Sequence, residues 1–192
     1  MPPSTPIFFF DYVDPLCYLL QLELAAALSD RGSPEVERVP VEVCPPPTPL
    51  LDPDGAWWTS RWRAAQALAD ATGHALVEPR ILPWTRKAHE FVFHAGQLGV
   101  GSQAHGAVFE AMFGRGEDIG RVDVLVELAR GLGLDANDTK VVLDVDRYSA
   151  AVAALSMRAT EAGGREIPSL ARDSETLQGF HNRYALRTFL LR

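Results

Sequence analysis

A carboxylate and a thiol stand three residues apart in Asp14-Pro15-Leu16-Cys17, and a second thiol lies at Cys44. Asp14 is a favoured N-cap residue, because its carboxylate accepts the unpaired N–H groups of a first helical turn, and Pro15 suits the first helical position because it has no N–H to leave unpaired. Such a helix puts Cys17 one turn in, on the same side as Asp14. A helix N-terminus lowers a thiol pKa while burial and a neighbouring carboxylate raise it, so the reactivity of Cys17 is open at this level. A carboxylate cannot exchange with a disulfide, which needs a thiolate nucleophile and a thiol leaving group. The five histidines offer no metal set. His89 and His94 fall on different sides of a helix, and Glu90 with His94 at i, i+4 falls short of the three or four ligands of a zinc site. His89 is expected to pack or hydrogen-bond among its helical neighbours, and His181 is kept as a candidate.

The run Ile7 to Tyr12, IFFFDY, suits a strand buried on both faces. After Asp14, Leu16, Leu19, Leu20, Glu23, Leu24, Ala27 and Leu28 recur at helical spacing, which predicts a helix to about Arg31. Val36 to Val43 alternates as a strand and ends at Cys44. If a right-handed crossover sets it parallel to the first strand, both end at one sheet edge, where parallel α/β sheets place ligands. A Cys17–Cys44 pair is not favoured there, since a disulfide needs Cα atoms within ~7 Å. Pro45, Pro46, Pro47, Pro49 and Pro53 predict a stiff, extended exit. From Asp54 to Gly164 helical patterns follow without a convincing strand. They run through Trp57–Leu68 to a stop near Gly73, through Ala88–Leu98 with Gly99 after it, from a Ser102 cap to Gly114, through Val122–Leu132 to Gly133, after Asp135, and from Asp146 to about Ala162. Gly116 to Arg121 reads as a turn. Trp57, Trp58 and Trp62 are expected to anchor this helical segment, with a cleft above Asp14 as the alternative.

At 192 residues, 47% hydrophobic and 22% charged, the chain can bury one ample core or a core plus a subdomain. A net charge of −7 argues against a phosphate-tracking surface, so no nucleic-acid partner is expected. The first basic residue is Arg31 and the apolar run IFFF is broken by Asp11, which predicts neither a signal peptide nor a membrane span. A cytoplasmic location and no structural disulfide are the expectations for two cysteines without an export signal.

A strand feeding a helix whose first turn reads x-P-x-C resembles the thioredoxin-fold proteins of the DsbA superfamily, in the branch of FrnE-like proteins, 2-hydroxychromene-2-carboxylate isomerases and kappa-class glutathione transferases. Asp14 stands where their first cysteine would be, and Cys17 keeps the second position. The blocks TRKAHEFVFHAGQLG and VFEAMFGRGEDIGRVDVLVELARGLGLD resemble the FrnE-like order of helices around a GxDIG turn. Glu166-Ile167-Pro168-Ser169 resembles the loop carrying a cis proline that faces the active-site helix. HNR, with Asn182 where an acid is usual, resembles the start of the last helix, whose buried face would hold Ala185, Leu186, Phe189 and Leu190. Ser169 to Arg172 and Thr176 to Gly179 would be the third and fourth strands.

The resemblance implies an α/β thioredoxin fold, DsbA-like, with a long inserted α-helical subdomain: residues 1–53 and 165–192 form the thioredoxin-like part and 54–164 the insertion. It implies Asp14 and Cys17 at the catalytic position and Tyr12, Pro15, Cys44, Ile167, Pro168, His181 and Asn182 around the substrate. The expected function is that of an oxidoreductase homologue with a degenerate C-x-x-C and weak or no thiol–disulfide exchange. The alternatives are a glutathione-dependent isomerase or transferase, and a non-catalytic module binding a peptide or small ligand. Whether the chain turns over any substrate is open. Glutathione is the cofactor the resemblance allows, a small-molecule or peptide thiol the ligand, and a monomer or homodimer the assembly.

Overall fold

The computed structural model describes residues 4–29, 34–161 and 166–191. Strand β1 (Ile7–Phe10) lies inside a four-stranded sheet with β2 (Glu37–Pro40), β3 (Ser169–Arg172) and β4 (Glu175–Gln178), in the order β2-β1-β3-β4. β1 runs parallel to β2 and antiparallel to β3, and β3 is antiparallel to β4. Phe8, Phe9 and Phe10 are buried on successive residues, so both faces of β1 are covered. β2 is shorter than the alternation from Val36 to Val43 predicts. Pro40 closes it, and although Val41 N–H still reaches the Phe10 carbonyl, the next two amides leave the ladder: Glu42 N–H bonds Ser156 Oγ and Val43 N–H bonds Asp11 Oδ2. The prolines that follow do not extend. Pro46–Pro47 is cis and Thr48 N–H returns to the Pro45 carbonyl, which makes a turn.

Helix α1 (Pro15–Ala27) ends before the expected limit near Arg31, a residue outside those described, as are Ser33 and Gly164. Between β2 and β3 the chain forms α2 (Ala56–Thr72), α3 (Arg86–Gln97), α4 (Gly101–Phe109), α5 (Val122–Gly131), α6 (Ala136–Asp144) and α7 (Ser149–Glu161). α4 begins at Gly101 behind Val100, so Ser102 is inside the helix rather than its cap, and it runs into a π-helical turn, Glu110–Gly114. Gly101 is needed there because a Cβ would come within 2.9 Å of the Gly96 Cα, where α3 and α4 approach. α7 starts three residues later than expected, after Asp146 with its φ of 53°. β4 lies one residue earlier than expected. Helix α8 (Arg183–Leu190) buries Leu186, Phe189 and Leu190 but leaves Ala185 exposed, a correction to its expected inner face.

One hydrophobic cluster runs from β1 into the inserted helices, with Phe8, Phe10 and Tyr12 packed near Phe91, Phe109 and Met112. At about 1.5–3 kcal/mol for each large apolar side chain taken from water, these contacts weld the insertion onto the sheet. A smaller cluster of Leu16, Leu19, Ala65 and Ala69 joins α1 to α2.

Candidate functional site

Asp14 follows a strand and precedes a proline, and its backbone is extended (φ −95°, ψ 114°) as an N-cap requires. Its Oδ1 accepts the Leu16 N–H at 2.9 Å, and its carbonyl accepts the Cys17 N–H at 3.0 Å. The side chain is wholly buried. A buried carboxylate needs a counterion or must neutralise. The counterion is Arg61 of α2, whose Nη2 stands 3.1 Å from Asp14 Oδ2. Burial pushes the Asp14 carboxyl up, and the Arg61 charge and the Leu16 N–H draw it back only in part, leaving it at about 7.

Arg61 makes a second contact. The same Nη2 donates to the carbonyl of Ile167 at 2.6 Å, and the Ile167–Pro168 bond is cis. The loop before β3 therefore does face the first turn of α1, and one guanidinium spans the two. Trp57 lies beneath that guanidinium, 5.5 Å from it to the ring centroid. Trp58 and Trp62, stacked at 5.5 Å, are buried and hold α2 in the core. The tryptophans thus anchor α2, and Trp57 supports Arg61.

Cys17 is fully buried, and burial together with the Asp14 charge pushes its thiol well above the ordinary range. Thiolate chemistry is disfavoured there. Cys17 and Cys44 are both free thiols. Cys44 does not turn to α1: its sulfur donates to the Pro49 carbonyl at 2.7 Å and lies 3.3 Å from Thr48 Oγ1, inside the proline turn.

Tyr12 and Pro15 are buried. The Tyr12 hydroxyl is paired with His105 Nδ1 at 3.0 Å, and His105 Nε2 with Gln21 Oε1 at 3.0 Å. Burial pushes the Tyr12 phenol up and the His105 imidazole well down, so both stay neutral. Tyr12 therefore faces α4 rather than the Asp14–Pro168 junction. His89 bonds Asp11 Oδ1 at 3.1 Å, across from α3 to the end of β1, and not within the insertion as expected. Ile167 and Pro168 are buried, and the Pro168 carbonyl accepts the Gly179 N–H. His181 rests its ring on the Gln178 carbonyl, and Asn182 caps α8 by accepting the Ala185 N–H at 3.0 Å. Its neighbour Arg183 bonds Glu23 of α1 through its backbone N–H at 2.6 Å and its guanidinium at 3.4 Å.

Of the residues singled out from the sequence, Asp14, Ile167 and Pro168 meet at one junction with Cys17 beneath. Tyr12, Cys44, His181 and Asn182 are engaged elsewhere. Arg61, which joins the junction, was not singled out from the sequence, and Asp11 and Glu23 were named there without the pairings they make. No group of three or more candidate metal ligands occurs among the described residues. Nor is any helix among them long and apolar enough to cross a membrane.

Residues 6–182 match the family model of the DSBA-like thioredoxin domain. The uncharacterized protein YwbO of Bacillus subtilis is 32% identical over an alignment of 146 residues that covers 73% of this chain and 72% of that one. Among solved structures, the probable DsbA oxidoreductase SCO1869 from Streptomyces coelicolor superposes with a TM-score of 0.79 at 23% identity, covering 97% of this chain and 88% of its own. A 2-hydroxychromene-2-carboxylate isomerase gives 0.78 at 18%, covering 98% and 92%. The cytosolic disulfide reductase DsbM from Pseudomonas aeruginosa with GSH gives 0.73 at 19%, covering 98% of each.

Proposed function

The chain belongs to the DSBA-like thioredoxin domain family, and from that premise we propose that it is an oxidoreductase-family homologue whose redox position performs little or no thiol–disulfide exchange. The observation that carries this reading is the buried Asp14–Arg61 pair, with Arg61 also holding the Ile167 carbonyl. The degenerate motif is Asp14-Pro15-Leu16-Cys17. A carboxylate there supplies neither a nucleophilic nor a leaving sulfur, and it raises the pKa of the one thiol below it. Arg61 supports the same conclusion from the other side, since it occupies a backbone acceptor beside the proline that an extended thiol peptide would need.

A second reading, a glutathione-dependent isomerase or transferase, is favoured by the likeness in fold to the isomerase and to a reductase solved with GSH. In that case Arg61 has to leave the Ile167 carbonyl when glutathione binds. A cytoplasmic location belongs to the proposal, supported by two free thiols and by the cytosolic DsbM neighbour.

The test is dithiothreitol-driven reduction of insulin, with calorimetry against glutathione. The first reading expects no rate above the uncatalysed one and no heat of binding. Turnover that Cys17→Ser or Cys44→Ser abolishes would overturn it, and glutathione binding without turnover would move the assignment to the second reading.

A further inference from the structure

A cavity of about 530 Å³ opens between the proline turn after β2, the segment before α3, the turn that precedes α5 and the start of α7. Neither Asp14, Cys17 nor Pro168 lines it. Its apolar wall comes from Pro46, Leu50, Ile81, Pro83 and Trp84. Three of these are large side chains left in water, Leu50 at 49%, Ile81 at 50% and Trp84 at 40% exposure. Isolated exposed apolar side chains are ordinary, but several converging on one concavity of ligand size mark a binding site.

The wall is built to keep its shape. The Trp84 indole N–H donates to the Thr48 carbonyl at 2.9 Å, which ties the segment before α3 to the proline turn. Gly120 lies so close to Pro83 that a Cβ would sit 2.7 Å from the proline Cβ, so the opposite loop seats directly against the wall.

The charges around the cavity decide what it takes. Arg86 is clamped by Glu42 through Nε at 2.7 Å and Nη2 at 2.6 Å, and its Nη1 is given to Ser149. Lys87 pairs with Asp146, Arg121 with Asp123 at 2.7 Å, and Asp118 accepts the Gly120 N–H. Each basic side chain in the lining already has a carboxylate partner, and Asp118 has the Gly120 N–H. A ligand anion entering here would lose water without gaining an unpaired opposite charge. A cation would meet only Asp146, paired with Lys87, and Asp118, already hydrogen-bonded and sharing the lining with the cationic Arg86, Lys87 and Arg121, so ions of either sign gain little.

We propose that this cavity binds an uncharged, flat, largely apolar small molecule, lying against Trp84, Ile81 and Leu50. The site is independent of the Asp14 junction, so it stands or falls apart from the reading of the redox position.

The experiment titrates the full chain with the neutral fluorophore N-phenyl-1-naphthylamine, whose emission rises on transfer out of water, with 2-naphthoate and 1-naphthylmethylammonium as charged competitors of similar size. Saturable one-to-one binding is expected. Ile81→Glu and Leu50→Glu, both at exposed positions and checked for an unchanged thermal midpoint, should each weaken it by at least about tenfold, since each places a carboxylate on the apolar wall. The charged compounds should displace the probe only at concentrations roughly tenfold or more above those of neutral 1-naphthalenemethanol. No saturable binding, binding unaffected by both substitutions, or displacement by either ion as effective as by the neutral alcohol would each overturn the proposal.

Discussion

Asp14→Asn isolates the cost of holding a charge at the start of α1. The Asp14 carboxyl has an ordinary value of 3.8 and titrates at about 7 in the folded chain. A carboxyl whose folded pKa is raised contributes most to stability below its unfolded pKa, where it is neutral in both states, and that contribution is lost as pH rises through the folded value. At about 1.36 kcal/mol per pH unit, the interval between 3.8 and about 7 corresponds to roughly 4 kcal/mol at most, and relaxation around Arg61 should reduce it to on the order of 2–4 kcal/mol. Asn keeps an oxygen for the Leu16 N–H, and Arg61, whose side chain is 28% exposed, can still hold the Ile167 carbonyl. The assay is urea unfolding of both proteins from about pH 4 to about pH 8. The parent should lose on the order of 2–4 kcal/mol more than the variant across that range, nearly all of it below about pH 7.5. Parallel curves, or a parent that gains on the variant as pH rises, would refute the claim that burial outweighs Arg61 at this site.

Two further substitutions probe the same junction. Arg61→Leu leaves the carboxylate without its counterion, so stability at about pH 8 should fall by roughly 1–3 kcal/mol, with a smaller loss near pH 5, where the carboxyl is protonated; urea unfolding at the two pH values reads the difference. Asp14→Cys places a second thiol at the N-cap, beside Arg61 and one turn from Cys17. The helix should lose about 1 kcal/mol of capping. The new thiol should form a reversible disulfide with Cys17 under mild oxidation. A folded variant in which mass spectrometry finds no such disulfide would mean that Asp14 is not at the position the thioredoxin-like relatives use.

The features legible in the sequence were local ones. Asp14 reads as a cap because a helix start depends on a few consecutive residues, and the cis Ile167–Pro168 loop is carried by the five residues EIPSL. Illegible were the pairs made across the fold: His89 and Asp11 are 78 residues apart, Arg183 and Glu23 160. Which carboxylates lose their water is settled only when the insertion docks, and local pattern carries no record of that. One signal was nevertheless present for Arg61. In WWTSRWRAAQALA, Trp58, Trp62, Ala65 and Ala69 share the buried face, and Arg61, three after Trp58 and four before Ala65, borders that face while Arg63 points to solvent. A helix packed on α1 with one arginine at its inner margin was the place to look for the partner of Asp14.

The choice of carboxylate over thiol changes what holds the junction together. With its carboxyl titrating at about 7, Asp14 is about half charged at neutral pH, and its charged form needs a cation. Arg61 meets that need from α2, and in doing so it also takes the Ile167 carbonyl. One side chain thereby joins three stretches distant in the chain: the start of α1, the first inserted helix and the loop before β3. Under the proposed reading, the contacts that close the redox position to sulfur chemistry are the ones that fasten the insertion to the sheet, so opening the site to a thiol peptide requires breaking an ion pair that the fold itself uses.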